Sequence, residues 1–404
     1  MKAAAYTGCM SLELPDELPH DLFAMLAGLA VEVADCQIEP LDLTVASGWT
    51  RRTSVVQLIG PEGLARSART DDVSDTSNVA ADRAHVGQGE DVTYKAGDHD
   101  ELQAGVIDLR FLRGSWRLDE LLGAIDAARL FGVEPGEEKA HAYRRWAFES
   151  AALGLALSQA NLDLGQVVGR EPAPLEFVVS LALDGTHFER LEQLLDAAPG
   201  TRFKVDYAAG WDVATLMRLA ALDVVDVVDL KGHYHGDFQG PPADAERYRA
   251  IAEALPSAWL EDAWFGAPND GGWDGPTWRA LEPFAARLTW DAPLTKLADL
   301  VGLPVVPKAV NLKPSRFGSL AEYLRVVEHC RAEGIGMYAG GQFELGPGRD
   351  QIQLLASLIH PRGPNDNAPS LFHRAQLPKA VPTSPMVVRR DAFQGRTTRT
   401  KPGA

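Results

Sequence analysis

The stretch VVDVVDLKG, residues 224–232, decides the fold. It is a short β-branched run, and it ends in an aspartate and a lysine. The same design recurs on both sides of it, in LEFVVSLAL (175–183), RFKVD (202–206), AWLEDA (258–263), RLTWDAP (287–293), AVNLKP (309–314) and IGMYAGG (335–341). Between these runs lie helical stretches such as FERLEQLLDAA, DVATLMRLAAL, DAERYRAIAEAL and SLAEYLRVVEHCRAEG. Strands alternating with helices of about 10–15 residues form βαβ units and a parallel sheet. Seven such units over roughly 200 residues fit a closed (β/α) barrel better than an open sheet.

The strand ends carry charge. Lys204 and Asp206 close the second run, Asp229 and Lys231 the third, Glu261 and Asp262 the fourth, Asp291 the fifth and Lys313 the sixth. In a barrel these ends meet at one mouth, where ionised groups need partners or a metal. Asp229, Glu261 and Asp291 follow one another at spacings of 32 and 30 residues, one βα unit each, and Lys313 comes 22 residues later. A lone strand-end aspartate usually caps a turn; three at this spacing weaken that explanation. An all-oxygen donor set predicts a hard divalent ion, Mg²⁺ first or else Mn²⁺.

Upstream, residues 31–43 and 49–59 read as strands, and a third strand-like piece, GEDVTY, ends at Tyr94. Ser115 is placed to cap the helical run WRLDELLGAIDAARLF. These features predict an α+β domain over residues 1–130. A long Ala- and Leu-rich helix starts near Lys139 and leads into a barrel over 135–372. The last segment, 373–404, is Pro-rich and then basic, and is expected to be a solvated tail.

Composition narrows the function. The 404 residues carry 39 Lys and Arg against 56 Asp and Glu, a net charge of −17. Nucleic acid and anionic membrane both need clustered basic residues, so neither is expected as a partner. A small anionic substrate responds to local charge and stays open, as does a homo-oligomer. Cys9, Cys36 and Cys330 make no disulfide framework. Together with the absence of a signal-like or membrane-spanning stretch, they predict a soluble, cytoplasmic protein.

Several motifs now combine. GQGED (87–91) is similar to a capping-domain strand of the enolase superfamily, and FESAALGLALSQANLDLGQVVG to the helix that leads into its barrel. VVDLKG, WLED and TWDAP match its three metal-ligand strands, and VNLKPSRFGSL the strand that holds a catalytic lysine. GGQFELGPGRD resembles its Gly-Gly-x-x-Glu segment. In this order they resemble the muconate-lactonizing-enzyme-like branch, which includes o-succinylbenzoate synthases, N-succinylamino acid racemases and dipeptide epimerases.

The resemblance covers most of the chain and implies a capping domain over a (β/α)7β TIM-like barrel. It implies Asp229, Glu261 and Asp291 as metal ligands and Lys313 as a base removing a proton α to a carboxylate. Arg51, Lys231, Gln342 and Glu344 become candidate substrate-binding residues, Arg51 because the family's capping loop covers the mouth. The GPGRD turn could also lend main-chain N–H groups to a substrate carboxylate. One departure matters. The branch usually has Lys-x-Lys on its second barrel strand, and here Lys204 is followed by Asp206. Alternation puts both on one face, and Asp206 is expected to contact Lys204 or another cation at the mouth. Losing the second lysine favours a one-base lyase, dehydratase or cycloisomerase. A racemase or epimerase using Lys204 or Asp206, and a barrel that only binds its ligand, are the alternatives.

Overall fold

The computed structural model describes residues 12, 19–45, 48–61, 84–184, 188–234, 240–267, 272–378 and 380–395. The strands, in chain order, are β1 (Ala30–Val33), β2 (Asp35–Thr44), β3 (Thr50–Ile59), β4 (Val86–Asp91) and β5 (Gly114–Arg117). They continue with β6 (Val179–Ala182), β7 (Phe203–Asp206), β8 (Val225–Asp229), β9 (Trp259–Glu261), β10 (Leu288–Trp290), β11 (Ala309–Leu312) and β12 (Gly336–Ala339).

The N-terminal part is an antiparallel sheet, β2-β3-β4, beside a two-stranded ribbon, β1-β5. Ser115 is not the expected helix cap. It sits in β5 opposite Glu32, and the helix runs over Leu118–Ala127 from Arg117, whose N–H donates to Glu120. The long helix Ala140–Ala160 lies directly on β4. GQGED makes that approach possible: a Cβ on Gly87 would stand 2.0 Å from Ala151 O, and one on Gly89 1.9 Å from Ala147 O. Asp91 then meets Arg144 of the helix in a fully buried ion pair at 2.8 Å.

Strands β6 to β12 form a parallel sheet in chain order, and each falls inside a run read from the sequence. The sheet curls, and residues 365–366 close it as a minimal eighth strand. Asp366 bridges Gly340 in parallel fashion, its N–H donating to Ala339 O, while Val178 N–H donates to Asn365 O on the other side. Alternation sorts the barrel interior. Val227, Trp259, Ala309 and Tyr338 pack together as an apolar floor. Two residues further along their strands, Asp229, Glu261 and Asn311 come on the same side.

Apart from that floor, most buried apolar residues form one continuous core, from Val56 and Leu58 of β3 through Ala151 and Leu155 to Leu354 and Leu355. The C-terminal segment is not a solvated tail through residue 395. Met386 pairs with Leu175, Gln394 bridges Gly87, and Phe393 is buried against Gly154 of the long helix. The more basic residues 396–404 lie outside the described residues. Among the described residues, no helix is long and apolar enough to cross a membrane.

Candidate active site

Strand register builds the site. Asp206 lies beside Asp229 on β7 and β8, and Asp229 beside Glu261 on β8 and β9. Asp291 follows β10 and Lys313 follows β11. Asp229, Glu261, Asp262 and Asp291 are all buried, and each offers a carboxylate oxygen within 4.8 Å of the others. The three expected ligands therefore converge, with Asp262 as an addition.

Asp262 differs from the other three. Its backbone is left-handed, with φ 56°, and its two oxygens accept the N–H groups of Asp291 (2.8 Å) and Ala292 (2.9 Å). It fixes the end of β10, and with Asp229, Glu261 and Asp291 it belongs to the cluster that could hold an ion.

Four cations lie against these acids. Lys204 pairs with Glu261, with Asp229 at 3.4 Å and with Asp366 at 3.5 Å. Lys231 lies 2.6 Å from Asp229 and 3.0 Å from Asp206. Lys313 reaches Asp291 at 2.8 Å, and Arg316 takes its other oxygen at 2.5 Å. Glu261 also accepts hydrogen bonds from Asn311 and Tyr338, and Tyr234 Oη stands 3.4 Å from Asp291. Lys313 fits because β12 has a glycine next to it: a Cβ on Gly340 would come within 2.5 Å of Lys313 Cε.

The electrostatics call for a further positive charge. Burial alone would raise the Asp229 carboxyl, but Lys231 and Lys204 hold it well below the usual range. Burial opposes Arg316 and Lys313 at Asp291 in the same way, and the two cations again win. Burial and neighbouring carboxylates push Glu261 up to about 8 and Asp262 up to about 7. Asp206, Asp229, Glu261, Asp262, Asp291 and Asp366 outnumber the cations paired with them, Lys204, Lys231, Lys313 and Arg316, and Lys139 lies close enough to Asp291 and Asp262 to act on them as well. The donor set is oxygen alone and fits a hard cation.

Other expectations need correction. Of the two cations left open for Asp206, its partner is Lys231, since Lys204 is drawn to Glu261, Asp229 and Asp366. Arg51, expected to hold substrate, is fully buried and donates to the carbonyls of Val92 and Thr93 at 2.6 Å, Gln342 at 3.2 Å and Phe343 at 3.3 Å. Tyr94 stacks on it, 4.6 Å from ring centre to guanidinium. It fastens the capping domain to the barrel.

Glu344 accepts the Gln342 N–H at 2.7 Å and meets Arg349 at 3.1 Å, which commits it to its own loop. The GPGRD turn does not offer its N–H groups to a ligand: Glu90 accepts those of Leu345, Gly346 and Gly348. Gln342 does join the network. With its amide oxygen toward Arg316 it accepts from Nη2 at 2.5 Å and donates to Tyr94 Oη at 2.9 Å.

Arg316 and Asp366 were missed among the site residues. Arg316 lies one turn beyond Lys313, a spacing that could have flagged it, whereas Asp366 carries no sequence signal. His233 packs edge-on against Trp264, and His235 lies outside the described residues.

The N-terminal domain of the domain of unknown function DUF8230 matches residues 24–167, and its C-terminal domain matches residues 171–374. The chain belongs to the DUF8230 family. That division falls after the long helix, which packs with the capping sheet, whereas the sequence reading put it near residue 130.

An N-succinylamino acid racemase from Amycolatopsis sp is 41% identical over 73 residues, 18% of this chain and 20% of that one, so the match spans about a fifth of that relative's length. Among solved structures, a dipeptide epimerase from Methylococcus capsulatus complexed with Mg ion superposes with a TM-score of 0.59. Its identity is 18%, over 91% of this chain and 100% of that one. An enolase-superfamily member from Listeria innocua Clip11262 gives 0.59 at 16% identity, over 84% and 86% of the two chains. A muconate cycloisomerase variant gives 0.56 at 14%, over 91% and 95%. The fold is that of the enolase superfamily, a capping domain over a (β/α)7β barrel.

Proposed function

We propose that this chain is a divalent-cation-dependent enzyme that removes the proton α to a carboxylate of a small organic acid. Lys313 is its single base, and the net reaction is that of a lyase, dehydratase or cycloisomerase. One observation carries the choice of base. Lys204 is paired with three carboxylates and Lys231 with two, whereas Lys313 is paired with Asp291 alone. Asp229, Glu261 and Asp291 would hold the ion, Mg²⁺ first or Mn²⁺. When bound, it would act as a Lewis acid on the substrate carboxylate.

The chain's own residues divide the remaining work. Lys313, on the sixth barrel strand, faces the substrate from the side opposite the second strand. The second strand presents Asp206 there rather than a lysine. Lys231 and Lys204 are held as ammonium groups: burial opposes their charge, but the carboxylates around each raise both well above the usual range. They supply fixed positive charge. Gln342 and Tyr94 hold Arg316 against Asp291 and fix that carboxylate's orientation.

A second reading, a racemase or epimerase of an amino-acid derivative or dipeptide, rests on the likeness to such proteins and on the nearness of Lys231 to the second strand. α-Proton exchange in D₂O, followed by NMR over acyl-amino acids, dipeptides, acid sugars and cyclohexadienyl carboxylates, tests both. Mg²⁺-dependent exchange without inversion, lost in Lys313→Ala, supports one base. Exchange with inversion supports the second reading. Exchange that survives in Lys313→Ala removes Lys313 from its role. Tight binding of a carboxylate without any exchange would point to a binding protein.

A further inference from the structure

Lys231 lies between two carboxylates that use it differently. Its Nζ donates a hydrogen bond to Asp229 Oδ2 at 2.6 Å. Asp206 Oδ1 is 3.0 Å from the same Nζ, an ion pair whose angles fall short of a well-aligned hydrogen bond at this buried oxygen. Register places Asp206 directly beside Asp229. The main chain at Lys231 is left-handed, φ 54°, and its N–H donates to Asp229 Oδ1 at 2.9 Å. That unusual conformation ties the backbone to Asp229 whatever the ammonium does.

We propose that Asp206 is the anchor that keeps Lys231 at the mouth when a divalent ion takes Asp229 Oδ2. The ion and the ammonium compete for that oxygen. Asp206 Oδ1 is close, buried and open as an acceptor, so it receives the displaced ammonium without exposing it to water or leaving it unpaired. Asp206 is thus a positioning residue: it lowers the cost of loading the ion and keeps a positive charge beside the substrate. This rests on the reading that Asp229, Glu261 and Asp291 hold the ion.

The test is the Mn²⁺ dissociation constant, read from free Mn²⁺ by electron paramagnetic resonance at one pH. The chains compared are wild type, Asp206→Asn, Lys231→Met and the double variant. Asp206→Asn is expected to weaken Mn²⁺ binding roughly tenfold, the scale of one unit charge losing a close partner at a protein site. In the Lys231→Met background the same change is expected to cost less than about threefold, because no ammonium remains to be anchored. Asp206→Glu should recover most of the loss.

Equal weakening in both backgrounds would mean that Asp206 acts on the ion itself and would overturn the proposal, as would no weakening in either. If circular dichroism shows Lys231→Met unfolded, Lys231→Gln, which keeps a donor toward both acids, serves as the background. Mn²⁺ binding that is lost in Asp291→Asn but shows no coupling between Asp206 and Lys231 overturns the anchor alone. No Mn²⁺ binding by the wild type overturns the metal site and the anchor with it.

Discussion

Replacing Arg51 by methionine separates two roles that a sequence cannot tell apart. Methionine keeps an apolar stem in the same space but removes every donor. In the wild type the guanidinium serves four main-chain carbonyls, two in the capping domain and two in the barrel loop at Gln342 and Phe343. All four lose their partner in a place where Arg51 itself is fully buried. At about 1 kcal/mol for each carbonyl, the low end for a buried unsatisfied group, the loss is ~4 kcal/mol. For a chain of 404 residues, at about 1–2 °C per kcal/mol, the melting temperature should fall by roughly 4–8 °C. Differential scanning calorimetry measures this, and limited proteolysis shows whether the capping domain loosens first. A surface arginine that only held substrate would leave stability within about 0.5 kcal/mol. A melting temperature within about 2 °C of wild type would therefore refute the clamp and return Arg51 to the substrate-binding candidates.

Gly89→Ala should destabilise severely, since the new Cβ would meet the Ala147 carbonyl at 1.9 Å and only backbone movement relieves the contact. Soluble yield and melting temperature report it, and alanine at the open position Gly123 is the control. The stability that His360 and His373 contribute should fall as pH drops from about 6.5 toward 4, against an opposite contribution from Glu261 and Asp262, whose folded carboxyls take up protons there. Burial pushes His360 down to about 4 and His373 down to about 3, so the unfolded chain binds protons in this window that the folded chain refuses. The slope is about 1.4 kcal/mol per pH unit for each histidine. Urea unfolding of wild type and His360→Asn side by side across that range should show it: the stability difference between them should change by about the slope of one histidine.

The barrel was legible because its strands are short apolar runs that end in charge, and all seven lie where the alternation puts them. Asp229, Glu261, Asp291 and Lys313 were legible for the same reason: a strand end fixes where a residue sits, and one-unit spacing fixes which residues meet. What those groups pair with was not legible. Asp206 and Lys231 find each other through the register of β7 against β8, and a sequence does not state register. Glu90 stood out within GQGED, but its three hydrogen bonds go to a loop more than 250 residues away. Arg51 was read as facing substrate because the sequence does not show that its donors are spent on the carbonyls of Val92, Thr93, Gln342 and Phe343. Asp366 enters the site only because the eighth strand shrinks to a single bridge.

The central claim is that three strand-end carboxylates share one divalent ion beside Lys313. Crystals soaked in Mn²⁺ test it most directly, through the anomalous signal of the ion. The account predicts one peak per chain, touched by an oxygen from each of Asp229, Glu261 and Asp291 at about 2.0–2.6 Å. It also predicts that Lys313 Nζ is not a ligand and that Lys204 has moved off the Glu261 oxygen it now holds. No peak at saturating Mn²⁺, or a peak elsewhere with Lys204 still on Glu261, would contradict it.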